Sequence, residues 1–383
     1  VYKRQPEYRA IEQLANQGSG LLLLSATPEQ AGHDAHFARL RLLDPARFFD
    51  PDAYREEQQN YQRVNRLARQ ILADEEVPET LHRDLQHWLG AGAELPTDAK
   101  EHLDRDAIVR LLLDRHGTGR VMLRNTRAAI EHFAERRVHP YPLPLPECYQ
   151  VPDGASAFPE QGIEEGQWIT DDPRVAWLRS FLTDVKPHKV LIICAHANTA
   201  TALAYYLHMR SGIRCSAFHE ALSLIERDRA AAWFAEAESG AQALVCSEIG
   251  SEGRNFQFAR HLVLFDLPLH PDLLEQRIGR LDRIGQQHAI DIHVPHLEDS
   301  AQQTLFRWYH EGMDAFRNSC ASASTILESM RARLESQLQH RDSDLAQLID
   351  DTRSLTQSTR QALERGRDAL LELNSCDPST AQA

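Results

Sequence analysis

Gln276, Arg280 and Arg283 are separated by four and three residues, a spacing that places their side chains on one face of a helix. Leucine and isoleucine repeat the same spacing about 200° away, which predicts a face buried in a core. Guanidinium groups that point outward bind phosphates and carboxylates through paired hydrogen bonds. The pattern therefore indicates a site that handles anions, and the alternative is an ordinary amphipathic helix with a solvated basic face.

The ends of this helix are marked in the sequence. Pro271 suits a first helical position, and Gly285 suits the position just past the last turn. The apolar run HLVLFDLP comes directly before it and predicts a buried strand. Gly279 lies inside the predicted helix, where glycine costs about 1 kcal/mol relative to alanine. We therefore expect a close approach of another group at Gly279.

The chain around this helix alternates between short apolar runs and helix-length segments. From residue 172 onward the apolar runs are KVLIICA, IRCSAFH, QALVCSEIG, HLVLFDLP and AIDIHVPHL. This pattern predicts an α/β fold with a parallel sheet covered by helices on both faces, in which ligands bind at the carboxyl ends of the strands. Four loops follow such runs and are expected to share one rim: HANT, FHEALS, EIGSEGRN and the loop before the arginine-bearing helix. Ser223 and Glu226 predict a capping box.

Outside this unit, the sequence predicts a buried strand at GLLLL ending in Ser25-Ala26-Thr27, and polar helices from about residue 50 to residue 113. Three arginines at 120, 124 and 127 form either a phosphate-binding patch or a solvated edge. The proline-rich YPLPLPE predicts an extended connector, and helices follow residue 300. The expected domains are 1–49, 50–166, 167–300 and 301–383.

Composition limits the possible functions. The net charge of −14 over 383 residues argues against a chain that coats nucleic acid indiscriminately, so any contact must come from local basic patches. No apolar run is long enough to span a bilayer, and no membrane partner is expected. The six cysteines show no ligand spacing, so a buried free thiol is expected at Cys194 and at Cys246 and no metal site is expected.

The three elements SATP, EIGSEGRNFQ and EQRIGRLDRIGQ occur in this order on consecutive α/β units, and together they resemble superfamily-two helicase-type ATPases of the Swi/Snf kind. The resemblance is closest to bacterial members that associate with RNA polymerase. It extends through HGTGRVMLRNTRAAI and HVPHLEDSAQQTLFRWYHEGMDAF and covers most of the chain from about Gly18. It implies a second RecA-like helicase lobe with a helical insertion and a helical carboxyl-terminal extension, preceded by the tail of a first RecA-like lobe.

The resemblance also implies roles for individual residues. Arg280 and Arg283 would be arginine fingers, which in general raise the rate of phosphoryl transfer by roughly 10³- to 10⁵-fold. Gln276 would orient the nucleotide. Residues that would couple nucleotide to nucleic acid, or transmit lobe closure, are Gly250, Glu252, Gly253, Asn255, Ser25, Ala26 and Thr27. Weaker candidates for nucleic-acid contact are His196, His219, Arg227, Arg124 and Arg127.

The implied cofactors are ATP and Mg²⁺, but the chain contains neither a glycine-rich loop ending in Gly-Lys-Thr or Gly-Lys-Ser nor an Asp-Glu-x-His sequence. We therefore expect an internal fragment whose first lobe, lying upstream, holds most of the nucleotide, and which is inactive alone. The implied partners are RNA polymerase core and double-stranded DNA or an RNA-DNA hybrid, in a bacterial cytoplasm near the nucleoid. The rival interpretation is a non-catalytic α/β and helical module that docks a protein partner or a phosphate.

Overall fold

The computed structural model describes residues 6–18, 20–24, 33–46, 48–54, 108, 134–150, 156–163, 165–248, 255–283, 285–320, 323–340 and 344–365. The chain forms two compact units. One consists of Val1–Ile130 with Thr359–Ala383, and the other is Glu131–Ser358. The expected domain boundaries at 49/50, 166/167 and 300/301 stay predictions.

The first unit contains the helices α1 (Pro6–Gln17) and α2 (His33–Leu43). Tyr8 is buried and donates its hydroxyl hydrogen to the carbonyl of Ala38. The strand predicted at residues 20–24 is wrong, because these residues form no strand and Leu22 and Leu24 are 80% and 86% exposed. A strand requires a neighbour to satisfy its backbone groups, and no described strand pairs with this segment.

The second unit is built on a parallel sheet of six strands in the order β1-β6-β5-β2-β4-β3. The strands are β1 (Arg136–Leu143), β2 (Val190–Ile193), β3 (Cys215–Phe218), β4 (Ala243–Cys246), β5 (His261–Leu264) and β6 (Ile290–Leu297). Strands β2, β4 and β5 are fully buried, as continuous apolar runs predict for a sheet covered on both faces. The predicted α/β fold is confirmed.

Helices cover both faces of this sheet. In chain order they are α3 (Glu165–Asp171), α4 (Pro173–Asp184), α5 (Ala197–Tyr205), α6 (Leu224–Ala235), α7 (Pro271–Ile278), α8 (Ala301–Arg307), α9 (Ala323–His340) and α10 (Leu345–Arg365). One core cluster joins the sheet to α6 through α10, and a second joins the opposite face to α3, α4 and α5. The capping box of Ser223 and Glu226 at α6 is confirmed.

The predicted extended connector, residues 141–147, begins inside an edge strand, because its first three residues belong to β1. Residues 136–143 pair in parallel with β6 along their whole length, starting with Arg136 opposite Ile290. Pro140 and Pro142 are two residues apart, so both missing N–H groups fall on the side away from β6. The prolines therefore cost no ladder hydrogen bond, and they leave the outer edge of β1 poor in donors.

Candidate nucleotide and nucleic-acid site

The arginine-bearing segment is shorter as a helix than its periodicity predicts. Helix α7 ends at Ile278, and Gly279 is its carboxyl-terminal cap with φ −61° and ψ −7°. The prediction that the helix continues to Gly285 is wrong, because residues 279–283 form a turn and Gly285 has a φ of +91°. The close approach expected at Gly279 comes from the preceding turn itself. A Cβ there would lie 3.1 Å from the carbonyl oxygen of Glu275.

The apolar side of the segment is buried as predicted. Leu274, Ile278 and Leu281 are each 0% exposed and belong to one core cluster. Arg280 is only 9% exposed, so the prediction that both guanidiniums point outward is wrong for Arg280. The turn draws Arg280 inward because the helical geometry ends one residue before it. Arg283 is partly exposed, and its Nε donates to the carbonyl of Gly279 at 3.2 Å.

The segment that begins at Asn255 lies against this arginine turn, residues 279–283. The backbone N–H of Phe256 donates to the carbonyl of Arg280 at 3.3 Å. Gln286 joins the two segments, since its Nε2 donates to the carbonyl of Gln257 at 2.8 Å and to that of Leu281 at 3.3 Å. Asn255 is exposed and accepts a hydrogen bond from the N–H of Gln257. The structure thus brings Asn255, Arg280 and Arg283 into one neighbourhood.

A second group of candidates follows β2 and β3 at the carboxyl rim of the sheet. His196 caps the amino terminus of α5 and stacks edge-on against Phe158 at 5.2 Å between ring centroids. His219 is 7% exposed, and its Nε2 lies 3.1 Å from the hydroxyl of Thr201 on α5. Arg227 lies one turn into α6, partly buried. These three residues sit on neighbouring elements of one rim.

An acidic residue also belongs to this rim. Ser247 donates its hydroxyl hydrogen to Glu220, which directly follows His219. That hydrogen bond, together with the nearby positive potential of His219 and His196, lowers the pKa of Glu220. A carboxylate that stays ionised beside two imidazoles restricts how closely a phosphate can approach, so it limits the anion site to the side of the rim that Glu220 does not occupy.

Sequence reasoning missed Arg277, which is 1% exposed and holds the rim together. Its guanidinium donates to both carboxylate oxygens of Glu248, which follows β4, and to the side chain and carbonyl of Asp266, which follows β5. Asp266 also accepts from the N–H of Ala195 after β2 at 2.9 Å. Burial alone would lower the pKa of Arg277, but the charges and hydrogen bonds of Asp266 and Glu248 outweigh it and raise the pKa. An acidic residue just past each of two buried strands, followed by an arginine on the next helix, is the signal that could have identified this cluster.

Gln276 is partly exposed on the last turn of α7, next to Arg277. Eight other predicted site residues lie outside the described residues, so their predicted roles stay predictions: Gly250, Glu252, Gly253, Ser25, Ala26, Thr27, Arg124 and Arg127.

The arginine turn fits one part of a nucleotide site in charge, because guanidinium groups bind the anionic oxygens of a polyphosphate. Of its two guanidiniums, that of Arg283 is partly exposed, whereas Arg280 is only 9% exposed. Among the residues that the structure describes, no group of three or more His, Cys, Asp or Glu side chains could hold a metal ion.

Two buried cysteines lie in the central strands or directly after them. Cys194 and Cys246 are free, fully buried thiols as predicted, and burial raises the pKa of both. They therefore serve the core and are not nucleophiles at neutral pH. Within the described part of the chain, every helix is too short or too polar to cross a bilayer.

Comparison with known proteins adds family relationships. The helicase conserved C-terminal domain matches residues 173–285, and the C-terminal region of the RNA polymerase recycling family matches residues 289–383. The RNA polymerase-associated protein RapA of Stutzerimonas stutzeri is 52% identical, over 96% of this chain and 40% of that protein. RapA of Pseudomonas fluorescens strain Pf0-1 is also 52% identical, over 97% of this chain and 41% of that protein. The chain thus spans about 40% of the length of these relatives.

Among solved structures, the Sulfolobus solfataricus SWI2/SNF2 ATPase core in complex with dsDNA is 14% identical with a TM-score of 0.37, covering 74% of this chain and 47% of that chain. The C-terminal part of the Fun30 ATPase domain is 16% identical with a TM-score of 0.34, covering 50% of this chain and 57% of that chain.

Proposed function

Because the chain belongs to the RapA family of RNA polymerase-associated, helicase-like proteins, we propose that it supplies the second RecA-like lobe of an ATP-driven nucleic-acid translocase. The whole protein would bind RNA polymerase core and promote its recycling in transcription. It would act in the bacterial cytoplasm, near the nucleoid. The observation that carries this proposal is the arginine turn, packed against the Asn255 segment at the end of α7.

The arginine turn supports a role in phosphoryl transfer. ATP, with Mg²⁺, supplies the phosphoryl group that is transferred to water, and negative charge spreads over that group during transfer. Arg280 and Arg283 would stabilise this charge, and Gln276 would orient the nucleotide. Arg280 is nearly buried, and in a site from which water is excluded a fixed positive charge has a larger effect than in solvent.

The carboxyl rim supports a role in binding duplex nucleic acid. His196 and His219 carry ring N–H donors and Arg227 carries a positive charge at the ends of adjacent strands, and phosphate oxygens are acceptors for such groups. We assign to these three residues the contacts with the phosphate backbone of the nucleic acid, with Arg124 and Arg127 as further candidates. The Arg277 cluster lies between this rim and the arginine turn, and it would keep the two sites at a fixed separation.

The proposal is tested by multiple-round transcription with purified RNA polymerase and the full-length protein. The wild type is expected to raise the number of transcripts per polymerase, and Arg280→Ala is expected to abolish that increase while polymerase binding, followed by co-sedimentation, is retained. Stimulation that persists in Arg280→Ala would instead identify a non-catalytic module that docks a partner.

A further inference from the structure

Arg136, the first residue of β1, is held between two carboxylates of the arginine-bearing segment. Its Nε donates to Oδ2 of Asp282 at 2.6 Å, and its Nη1 and Nη2 donate to the two carboxylate oxygens of Glu275 at 3.0 and 2.6 Å. The side chain of Arg136 is 3% exposed and that of Asp282 is 1% exposed. One planar guanidinium therefore joins two acids that are seven residues apart in the sequence.

These two acids lie on either side of Arg280 in the sequence, and the second is next to Arg283. Glu275 directly precedes Gln276 on α7, and Asp282 directly precedes Arg283 in the turn. Between them the chain leaves the helix at Gly279, and its remaining bonds are local, such as Asp282 N–H to the carbonyl of Ile278 at 3.0 Å. Because the guanidinium has a rigid fork geometry, it fixes the distance between Glu275 and Asp282 and attaches both to the sheet.

Arg136 comes from outside the region that matches the helicase C-terminal domain, which begins at residue 173. It reaches the arginine turn because β1 pairs in parallel with β6, and the starts of these two strands lie beside the end of α7. Without Arg136, the buried Asp282 carboxylate would lose a counter-charge in direct contact with it, which is unfavourable. The arginine turn would then be held less firmly against the start of β1.

We propose that Arg136 is a positioning residue for Arg280 and Arg283, an inference that rests on the proposed phosphoryl-transfer function. It contacts neither nucleotide nor nucleic acid. It sets the conformation of the arginine turn from an edge strand that precedes the helicase lobe in sequence, and thereby makes that strand part of the catalytic machinery.

The test measures ATP turnover by the full-length protein with duplex DNA present. Arg136→Ala is expected to lower kcat by about 10²-fold, the effect of a displacement of about 1 Å at reacting groups. The KM for ATP should change by less than about twofold, because the lost interaction is made in the transition state. Arg136→Lys, which cannot pair with both carboxylates at once, should fall between Arg136→Ala and wild type.

Arg137→Ala is the matched control. Arg137 is the next residue of β1, is exposed, and pairs with Glu135 at the surface, so this variant should keep wild-type kcat. Should Arg136→Ala fail to fold, Glu275→Gln serves instead, since the side chain of Glu275 is 39% exposed and its amide keeps one acceptor for Arg136. It should lower kcat severalfold. Full turnover in both Arg136→Lys and Glu275→Gln would overturn the inference.

A double variant separates positioning from general destabilisation. If Arg136 acts through Arg283, then adding Arg136→Ala to Arg283→Ala should cause little further loss, because residues that act as a unit are not additive. Multiplicative losses would overturn the positioning role. Reduced turnover in Arg280→Ala together with full turnover in Arg136→Ala would overturn only this inference, whereas full turnover in Arg280→Ala would remove the proposed function as well.

Discussion

Arg277 donates from Nη1 to the Oδ1 atom of Asp266 at 3.0 Å and to the backbone carbonyl of the same residue at 2.7 Å. This pair joins α7 to the end of β5. Through the contact of Asp266 with Ala195 and of Arg277 with Glu248, it also reaches the ends of β2 and β4. Four elements that carry or adjoin candidate site residues are therefore fixed to one another by a buried ion cluster.

Disruption of this ion cluster should lower the free energy of unfolding. Arg277→Leu removes the guanidinium that pairs with Asp266, whose side chain is 0% exposed, and breaking a buried pair from one side typically costs about 3 to 5 kcal/mol. We expect a loss of that order in the free energy of unfolding, measured by urea denaturation. The control is Arg307→Ala, which breaks a partly exposed pair between the last residue of α8 and Glu311 and should cost no more than about 0.5 kcal/mol. Equal losses in the two variants would contradict this account.

The sheet should lose stability in acid through a histidine cluster. His261 and His293 lie on neighbouring strands with Nδ1 and Nε2 3.1 Å apart, and Tyr141 donates to or accepts from His293 at 3.2 Å. Burial, with smaller effects from neighbouring charges, lowers the pKa of His261 to about 4 and that of His293 to about 3. Both imidazoles are therefore neutral in the folded chain at neutral pH.

The direction of the pH effect follows from linkage. The pKa of each histidine is about 6.5 in the unfolded chain, so at a pH between 6.5 and the folded values the unfolded chain binds more protons than the folded chain. The contribution of these histidines to the free energy of unfolding is therefore fully present above pH 6.5 and is lost as the pH falls towards 3. We expect the free energy of unfolding to drop by a few kcal/mol, on the order of 1.4 kcal/mol per unit of pKa shift, with part of that loss present at pH 5. His293→Phe should flatten this dependence, and His208→Gln, an exposed position, should not. An unchanged slope in His293→Phe would refute the assignment.

Arg227 provides a test of the nucleic-acid rim. Arg227 is partly exposed, and its Nε atom makes no hydrogen bond to the described residues, so the guanidinium can turn towards a phosphate without losing a hydrogen bond from Nε. Arg227→Gln in the full-length protein should weaken duplex binding and reduce the slope of log affinity against log salt by about 0.9, the value for one phosphate contact. Arg229→Gln, exposed on the same helix, should leave the slope unchanged. If the slope of log affinity against log salt is the same in both variants, Arg227 does not contact a phosphate of the duplex.

The periodicity of the sequence predicts the secondary structure of the second unit well, because the features that define it involve residues close together in the chain. The apolar runs of β2 through β6, the capping box at Ser223, and the buried face formed by Leu274, Ile278 and Leu281 all depend on residues close together in the chain. The family relationship rests on short ordered motifs, which were also readable from the sequence alone.

Features that depend on distant residues could not be predicted in this way. The end of α7 at Ile278 depends on the turn that packs against Phe256 and Gln286, and it changes the environment of Arg280 from exposed to nearly buried. Arg136 and Asp282 are 146 residues apart, and nothing in their local sequences indicates the contact. The strand prediction for the GLLLL segment failed for the same reason, because a strand forms only where a neighbouring strand pairs with it.

The central claim is that the arginine turn acts on a transferred phosphoryl group, and it is tested most directly by ATP turnover of the full-length protein with saturating duplex DNA. Arg280→Ala and Arg283→Ala should each lower kcat by about 10³-fold or more while ATP binding is retained, as expected for arginine fingers. Arg331→Ala, an exposed arginine on α9, is the control and should keep wild-type turnover. Wild-type turnover in both Arg280→Ala and Arg283→Ala would contradict the account.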